Sequence, residues 1–287
     1  MTVMIRILLL ALLLTGLTIP AAARAETPPP RLDPERLTSL LHERDPLLIE
    51  QIFRRHANDV LPFIDRFLEG ALKHVEDGGS EAEATAGFDL GLAFARIASR
   101  ALEDPVFERY AASFASWDQE ERVRFRAAQA TYREGRRLER EGSLSDARHA
   151  FRRALRAAEQ LDDTWGIAMN LQAIARTDRS SERIDDSVRT ARRAADLYRR
   201  LHLTRQEAES MLIAAETLLE ADMMRPSLTN SSRAYALMVD KPHDELRARV
   251  LNVYLRGLEG TGQTDEASHV RERERERAAS LGPLKQE

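Results

Sequence analysis

Small residues recur every 40 positions through the second half of this chain, and no other feature restricts its fold so severely. One column is Ala128, Ala168, Ala208 and Ala248. A second is Ala147, Ser187, Ser227 and Ala267, and a third is Ala154, Ala194 and Ala234, broken by Glu274. A fourth is Leu161, Leu201 and Leu281, broken by Lys241. One such column could be coincidence; four in a single register are a repeat. Helices approach to 8–10 Å only where the side chains at their crossing are small. Each 40-residue unit therefore reads as two helices of about 15 to 18 residues and a tight turn, stacked on its neighbours because a lone hairpin cannot bury its apolar stripe.

The rest of the pattern is helical as well. No stretch after residue 32 alternates apolar and polar with period two over the length of a strand, and Ala, Leu, Arg and Glu dominate. Asp33-Pro34, Asp45-Pro46 and Asp104-Pro105 each place an N-cap acid before a first-turn proline. Trp117-Asp118-Gln119 and Ser145-Asp146 open two more helices, and Gly78-Gly79-Ser80, Gly142 and Gly262 stand where the chain turns. Pro62 is expected to kink or end its helix.

The unit at residues 128–161 holds Gly135, Gly142, Ala147, Phe151 and Ala154. That Gly-x6-Gly-x4-Ala-x3-Phe-x2-Ala spacing resembles the tetratricopeptide repeat. Gly166-Ile167-Ala168-Met169-Asn170-Leu171-Gln172-Ala173-Ile174-Ala175 resembles the first helix, helix A, of its 40-residue variety. Thr131 stands where the family has Trp, and Glu159 where it has Pro. The resemblance covers four repeats at residues 123–282. It implies an all-α fold, a right-handed α-solenoid of helix–turn–helix units, preceded by a divergent helical region at 32–122 in which 83–122 form a degenerate further unit (Phe88, Phe94, Ala95, Phe107, Ala111, Phe114). Residues 283–287 are a tail. In the fourth unit Arg271 and Glu274 replace Phe151 and Ala154. The alternating run Arg271–Arg277 is thus expected to be a solvating cap helix.

The chain opens with a targeting pattern. Arg6 precedes an uncharged apolar run from Ile7 to Leu17, Pro20 breaks it, and Ala23-Arg24-Ala25 offers a small-x-small cleavage site. Eleven apolar residues fall short of the roughly 20 that span a bilayer. Residues 1–25 are therefore read as a cleaved signal peptide, 26–31 (with Pro28-Pro29-Pro30) as a stiff tether, and the mature chain as periplasmic or secreted with no membrane span. Cysteine is absent, which removes disulfides, Cys-ligated zinc and thiol nucleophiles.

Chemistry is sparse. The net charge is -4, and the run of arginines near the C-terminus is matched by glutamates, so no nucleic-acid partner is expected. The excess of 40 Arg over 3 Lys reads as codon composition. Seven histidines are scattered and none forms HExxH; no GxSxG, phosphate-loop or dinucleotide motif occurs. Asp162-Asp163 and Asp185-Asp186 sit where acids favour a helix N-terminus. No cofactor, metal or catalytic residue is expected. The expected function is a non-catalytic scaffold for a protein or peptide segment; the alternative is an enzyme with its site in the N-terminal helices. The resemblance places helix A on the inner face. Its inward positions are Gln129, Tyr132 and Arg136, then Met169, Gln172 and Arg176, then Glu209, Leu212 and Glu216, then Arg249, Asn252 and Arg256. Some tetratricopeptide domains hold a peptide carboxylate on such a face, so Arg136, Arg176 and Arg256 imply a ligand that is acidic or has a free C-terminus, with Glu216 interrupting the column.

Overall fold

Six turns in the second half of the chain share one backbone device. Gly142, Glu182, Asp222 and Gly262 have φ between 57° and 80°, at 40-residue spacing, and Asp162 and His202 repeat it at 51° and 55°. Each closes its helix with a paired backbone motif: Ser143 N–H to Leu138 O and Gly142 N–H to Glu139 O, and likewise Arg183 to Asp178 and Glu182 to Arg179. These turns divide the chain into helices of 15 to 22 residues, and they set the period that the small residues announce.

The computed structural model describes residues 32–242 and 244–280; the signal-peptide and tether expectations, Leu281, and the tail at 283–287 lie outside them. Thirteen helices and no strand occur among the described residues. The N-terminal region holds α1 (Pro34–His42), α2 (Pro46–Arg55), α3 (Ala57–Glu76), α4 (Glu81–Ala101) and α5 (Val106–Ser116). The repeats follow as α6 (Gln119–Arg140), α7 (Leu144–Gln160), α8 (Thr164–Ser180), α9 (Ile184–Arg200), α10 (Thr204–Glu220), α11 (Met224–Met238), α12 (Glu245–Gly260) and α13 (Thr264–Ser280). From α6 onward each helix packs on its neighbour in sequence, and each A helix also touches the A helix before it up to α12. That is the packing order of an α-solenoid.

The small-residue columns are the crossings. Ala147, Ser187, Ser227 and Ala267 are all fully buried, as are Ala194 and Ala234. Ser187 and Ser227 donate to the carbonyls of Ala175 and Ala215 at 3.0 and 2.8 Å, so the hydroxyl is satisfied by the facing A helix. Ala168 and Ala208 are fully buried too, but Ala248 is exposed. The turn before it is different. Position 242 would have to take the positive φ of Asp162 and His202, and proline is locked near −65°. Accordingly α11 stops at Met238, and α12 starts at Glu245 under an Asp244 cap.

One expectation is narrowed and one needs correction. Pro62 does not end its helix: α3 runs from Ala57 to Glu76 through it, held by buried Leu61, Phe63 and Ile64. The bond it forgoes lies only one turn into the helix. Glu274 is not a solvating residue either. It accepts from Arg247 at 2.6 Å and from Tyr235 at 2.9 Å, and both members of the Arg247–Glu274 pair are under 10% exposed. The charge that breaks the alanine column serves an ion pair between α12 and α13.

The N-terminal helices build their own aromatic core and then lie against the repeats. Phe53, Phe63, Phe67 and Phe94 pack edge to face with centroids 5.0–6.3 Å apart. Phe114, Trp117 and Phe125 carry the stack into α6. Trp117 donates to Leu161 O at 3.2 Å, Arg200 pairs with Asp104, and Phe107 stacks on His202 at 6.0 Å. The region at 32–122 is therefore helical as expected. It is also folded back over the turns at the end of α7 and of α9.

Candidate functional site

Folding back places α3 and α5 beside the A helices, and a cavity of about 400 Å³ remains where they meet. Asp65 and Glu69 enter it from α3, Tyr110 from α5, Tyr132 and Gln129 from α6, and Asp163 and Trp165 from the start of α8. Local sequence explains one of these placements. Asp163 is the N-cap of α8, accepting from Gly166 N–H at 2.8 Å. Gly166 permits this, because a Cβ there would stand 2.0 Å from the Asp163 carboxylate. Asp65 accepts the Tyr110 hydroxyl at 2.6 Å, a contact between residues 45 apart.

Neither Asp65 nor Asp163 forms an ion pair among the described residues. Burial raises the Asp65 pKa to about 6, opposed by the Tyr110 hydrogen bond and reinforced by the Glu69 charge. Burial raises Asp163 to about 7, with Asp65 and Glu69 adding to it against the Gly166 bond. Glu69 is differently placed: Arg126 reaches it at 2.8 Å and holds Glu76 as well, and Gln129 donates to it at 3.0 Å. Asn170, 4% exposed, lines the same cavity; its Nδ2 donates to Gly166 O, and its Oδ1 is buried without a partner.

No protein-family model matches this chain, and no characterised protein matches it in sequence.

A second cavity, of about 390 Å³, opens on α10 and α12. Together the two cavities account for seven of the twelve expected inward residues. Gln129, Tyr132 and Met169 line the first, and Glu216, Arg249, Asn252 and Arg256 line the second. Glu216 does more than interrupt a column: it bridges Arg179 and Arg249. The remaining five fall elsewhere. Arg136 and Arg176 share Glu139, at 3.3 and 3.0 Å. Glu209 is half-buried near Arg176. Gln172 is buried, donating to Ser210 at 3.2 Å, and Leu212 lies wholly inside the core with Ala215 and Val250. An i, i+3, i+7 reading takes one line of residues from each helix. The A helices are wrapped more deeply than that in the middle of the stack, so the line passes through the core there.

Sequence reasoning did not find Asp65, Tyr110 or Asn170. Asp163 carried a local signal as a helix cap, but its function as a cavity wall depends on α3, almost 100 residues earlier. Among the described residues no group of three or more His, Asp or Glu is arranged to hold a metal ion, and no helix is long and apolar enough to cross a membrane.

Proposed function

We propose that the protein is an exported, non-catalytic repeat module that holds a segment of a partner protein along its A helices. The observation that carries this reading is the pair of cavities: both open on A helices and take in residues at the 40-residue spacing. A surface that repeats with the fold suits an extended chain, which presents side chains at regular intervals. In its finer form the module is a right-handed tetratricopeptide-like solenoid with the A helices on the concave side. An acidic or free-carboxylate ligand would have to displace Glu139 from Arg136 and Arg176, since both guanidinium groups are already engaged there. Arg256 is exposed and forms no ion pair among the described residues, so of the three it is the one open to a carboxylate.

The test is a random peptide library screened against the chain from residue 26, with binders mapped by hydrogen exchange. Protection confined to α6, α8, α10 and α12 supports the module. No binders, or protection confined to α7, α9, α11 and α13, would dismiss it. Export rests on residues 1–25; the intact mass of the secreted protein should begin at Glu26, and full-length chain in the membrane fraction would refute cleavage.

A second reading has its own observation. Asp65, Asp163 and Tyr110 meet at one cavity, and a carboxyl held protonated near neutral pH is what general acid catalysis uses. Turnover of ester, amide or glycoside substrates that is lost in Asp163→Asn would favour this enzyme.

A further inference from the structure

We propose that the cavity between α3, α5, α6 and α8 receives a cationic side chain, the guanidinium of arginine or the ammonium of lysine, from the segment bound along the A helices. This deepens the module reading and rests on it.

The walls are suited to such a group. Asp163 is a buried carboxyl and Asp65 a half-buried one, and neither forms an ion pair among the described residues, whereas charges taken out of water are ordinarily paired. Asn170 is only 4% exposed, and its Oδ1 is an acceptor with no donor among the described residues. Leaving such an atom unmet is costly, and an N–H donor in the cavity would meet it. The lining also includes the aromatic side chains of Tyr132, Trp165 and Phe125 and the thioether of Met169. Aromatic faces attract cations and accept the alkyl stem of a long basic side chain. The carboxyls and the aromatic faces favour a positively charged group, and the Asn170 amide oxygen favours one that is also an N–H donor.

The positive groups nearby are accounted for. Arg126 is committed to Glu69 and Glu76. Arg133 lines the cavity, is exposed, and makes no ion pair among the described residues. It stands at the mouth in water, where its repulsion of a second cation is screened.

The probes are N-acetyl-arginine methylamide and N-acetyl-lysine methylamide, with N-acetyl-glutamine methylamide as the neutral analogue. Binding is read from Trp165 fluorescence in the Trp117→Phe background and from calorimetry. At pH 8 a basic probe is expected to bind at least tenfold more tightly than the glutamine analogue. Asp65→Asn/Asp163→Asn should weaken it at least tenfold. Both changes keep a hydrogen-bond acceptor, for Tyr110 and for the α8 cap, so the fold is retained; circular dichroism checks this. Asp185→Asn, an exposed acid of α9 away from the cavity, should have no effect, and Arg133→Gln should leave binding equal or tighter. Affinity for the basic probe should fall at least fivefold from pH 8 to pH 5.5 as Asp65 and Asp163 take up protons beside Glu69, Tyr110, Arg126 and Arg133. Equal binding of basic and neutral probes, or a double variant that binds like wild type, overturns the inference. Should that happen while library peptides still protect the A helices, the module stands without its cation pocket. Should the basic probes bind while no library peptide does, the cavity stands and the module fails.

Discussion

Asp163 shows how one residue can carry a local and a distant function at once. Its carboxylate caps α8, and its burial against α3 makes ionisation unfavourable. The folded pKa, about 7, lies above the unfolded value of 3.8. The folded state therefore binds the proton more tightly, and wild-type stability falls as pH rises from about 4 to about 7. Asparagine keeps the cap and has no charge to bury. Asp163→Asn is expected to match wild type at pH 4 and to exceed it by on the order of 1–3 kcal/mol at pH 8. Urea melts at the two pH values check this, and a variant destabilised at both would remove the burial argument. Glu182 and Asp222 make a second case. They hold positive φ where Gly142 and Gly262 stand in the other units. A side chain there costs about 1–2 kcal/mol relative to glycine's freedom, partly returned through the unfolded chain. Glu182→Gly and Asp222→Gly should each stabilise by about 0.5–1 kcal/mol; a loss on melting would mean the side chains matter more than the turn.

At the scale of the helix, burial sets the two central alanines of the first column apart from surface alanines. Ala168 and Ala208 are fully enclosed at crossings, whereas Ala127 is exposed on α6. Leucine at either crossing must push two helices apart, and we expect Ala168→Leu and Ala208→Leu each to cost about 1–3 kcal/mol. Ala127→Leu should stay within about 0.5 kcal/mol. Equal shifts in denaturant midpoint would contradict the crossings. The ion pairs between helices follow a similar logic. Asp178 of α8 is 1% exposed and holds Arg148 of α7 and Arg183 of the following turn, the latter at 2.8 Å. Removing the acid leaves the mostly buried Arg148 with only the longer contact to Asp186, at 3.5 Å, so Asp178→Ala is expected to cost about 1–3 kcal/mol. The double change Asp178→Ala/Arg148→Ala should cost less than the sum of the two singles, as a double-mutant cycle would show. The small columns were legible because a crossing demands a residue size, which sequence states directly. Glu274 was not, because a charge at a core position looks like solvent exposure until its partner, Arg247 on another helix, is seen.

The whole molecule departs from a simple stack. In a one-dimensional array each unit is held only by its neighbours, and the ends open first. Here Trp117, Phe107 and Asp104 bind the N-terminal helices to the turns around α8 and α10, so one end of the stack is covered along its side. Hydrogen exchange should therefore be slowest in α8 and α10 and fastest in α13, with α6 slower than an uncapped first helix would be. Comparable protection in α13 and α8 would show that the N-terminal contacts add nothing to the array.

Periodicity of small residues, helix caps and turn positions are local demands, each satisfied by residues a few places apart, and from them the amino-acid sequence determined the helices, the 40-residue unit and its stacking. Only the tertiary structure decided where the cavity lies. Asp65, Tyr110, Asp163 and Asn170 come from three segments whose approach depends on how an aromatic core at Phe53, Phe63 and Phe94 sets the N-terminal helices against the repeats. A carboxylate at position 65 reads as one more polar residue on a helix; its partial burial beside Asp163, with no ion pair among the described residues, is a property of the packing alone.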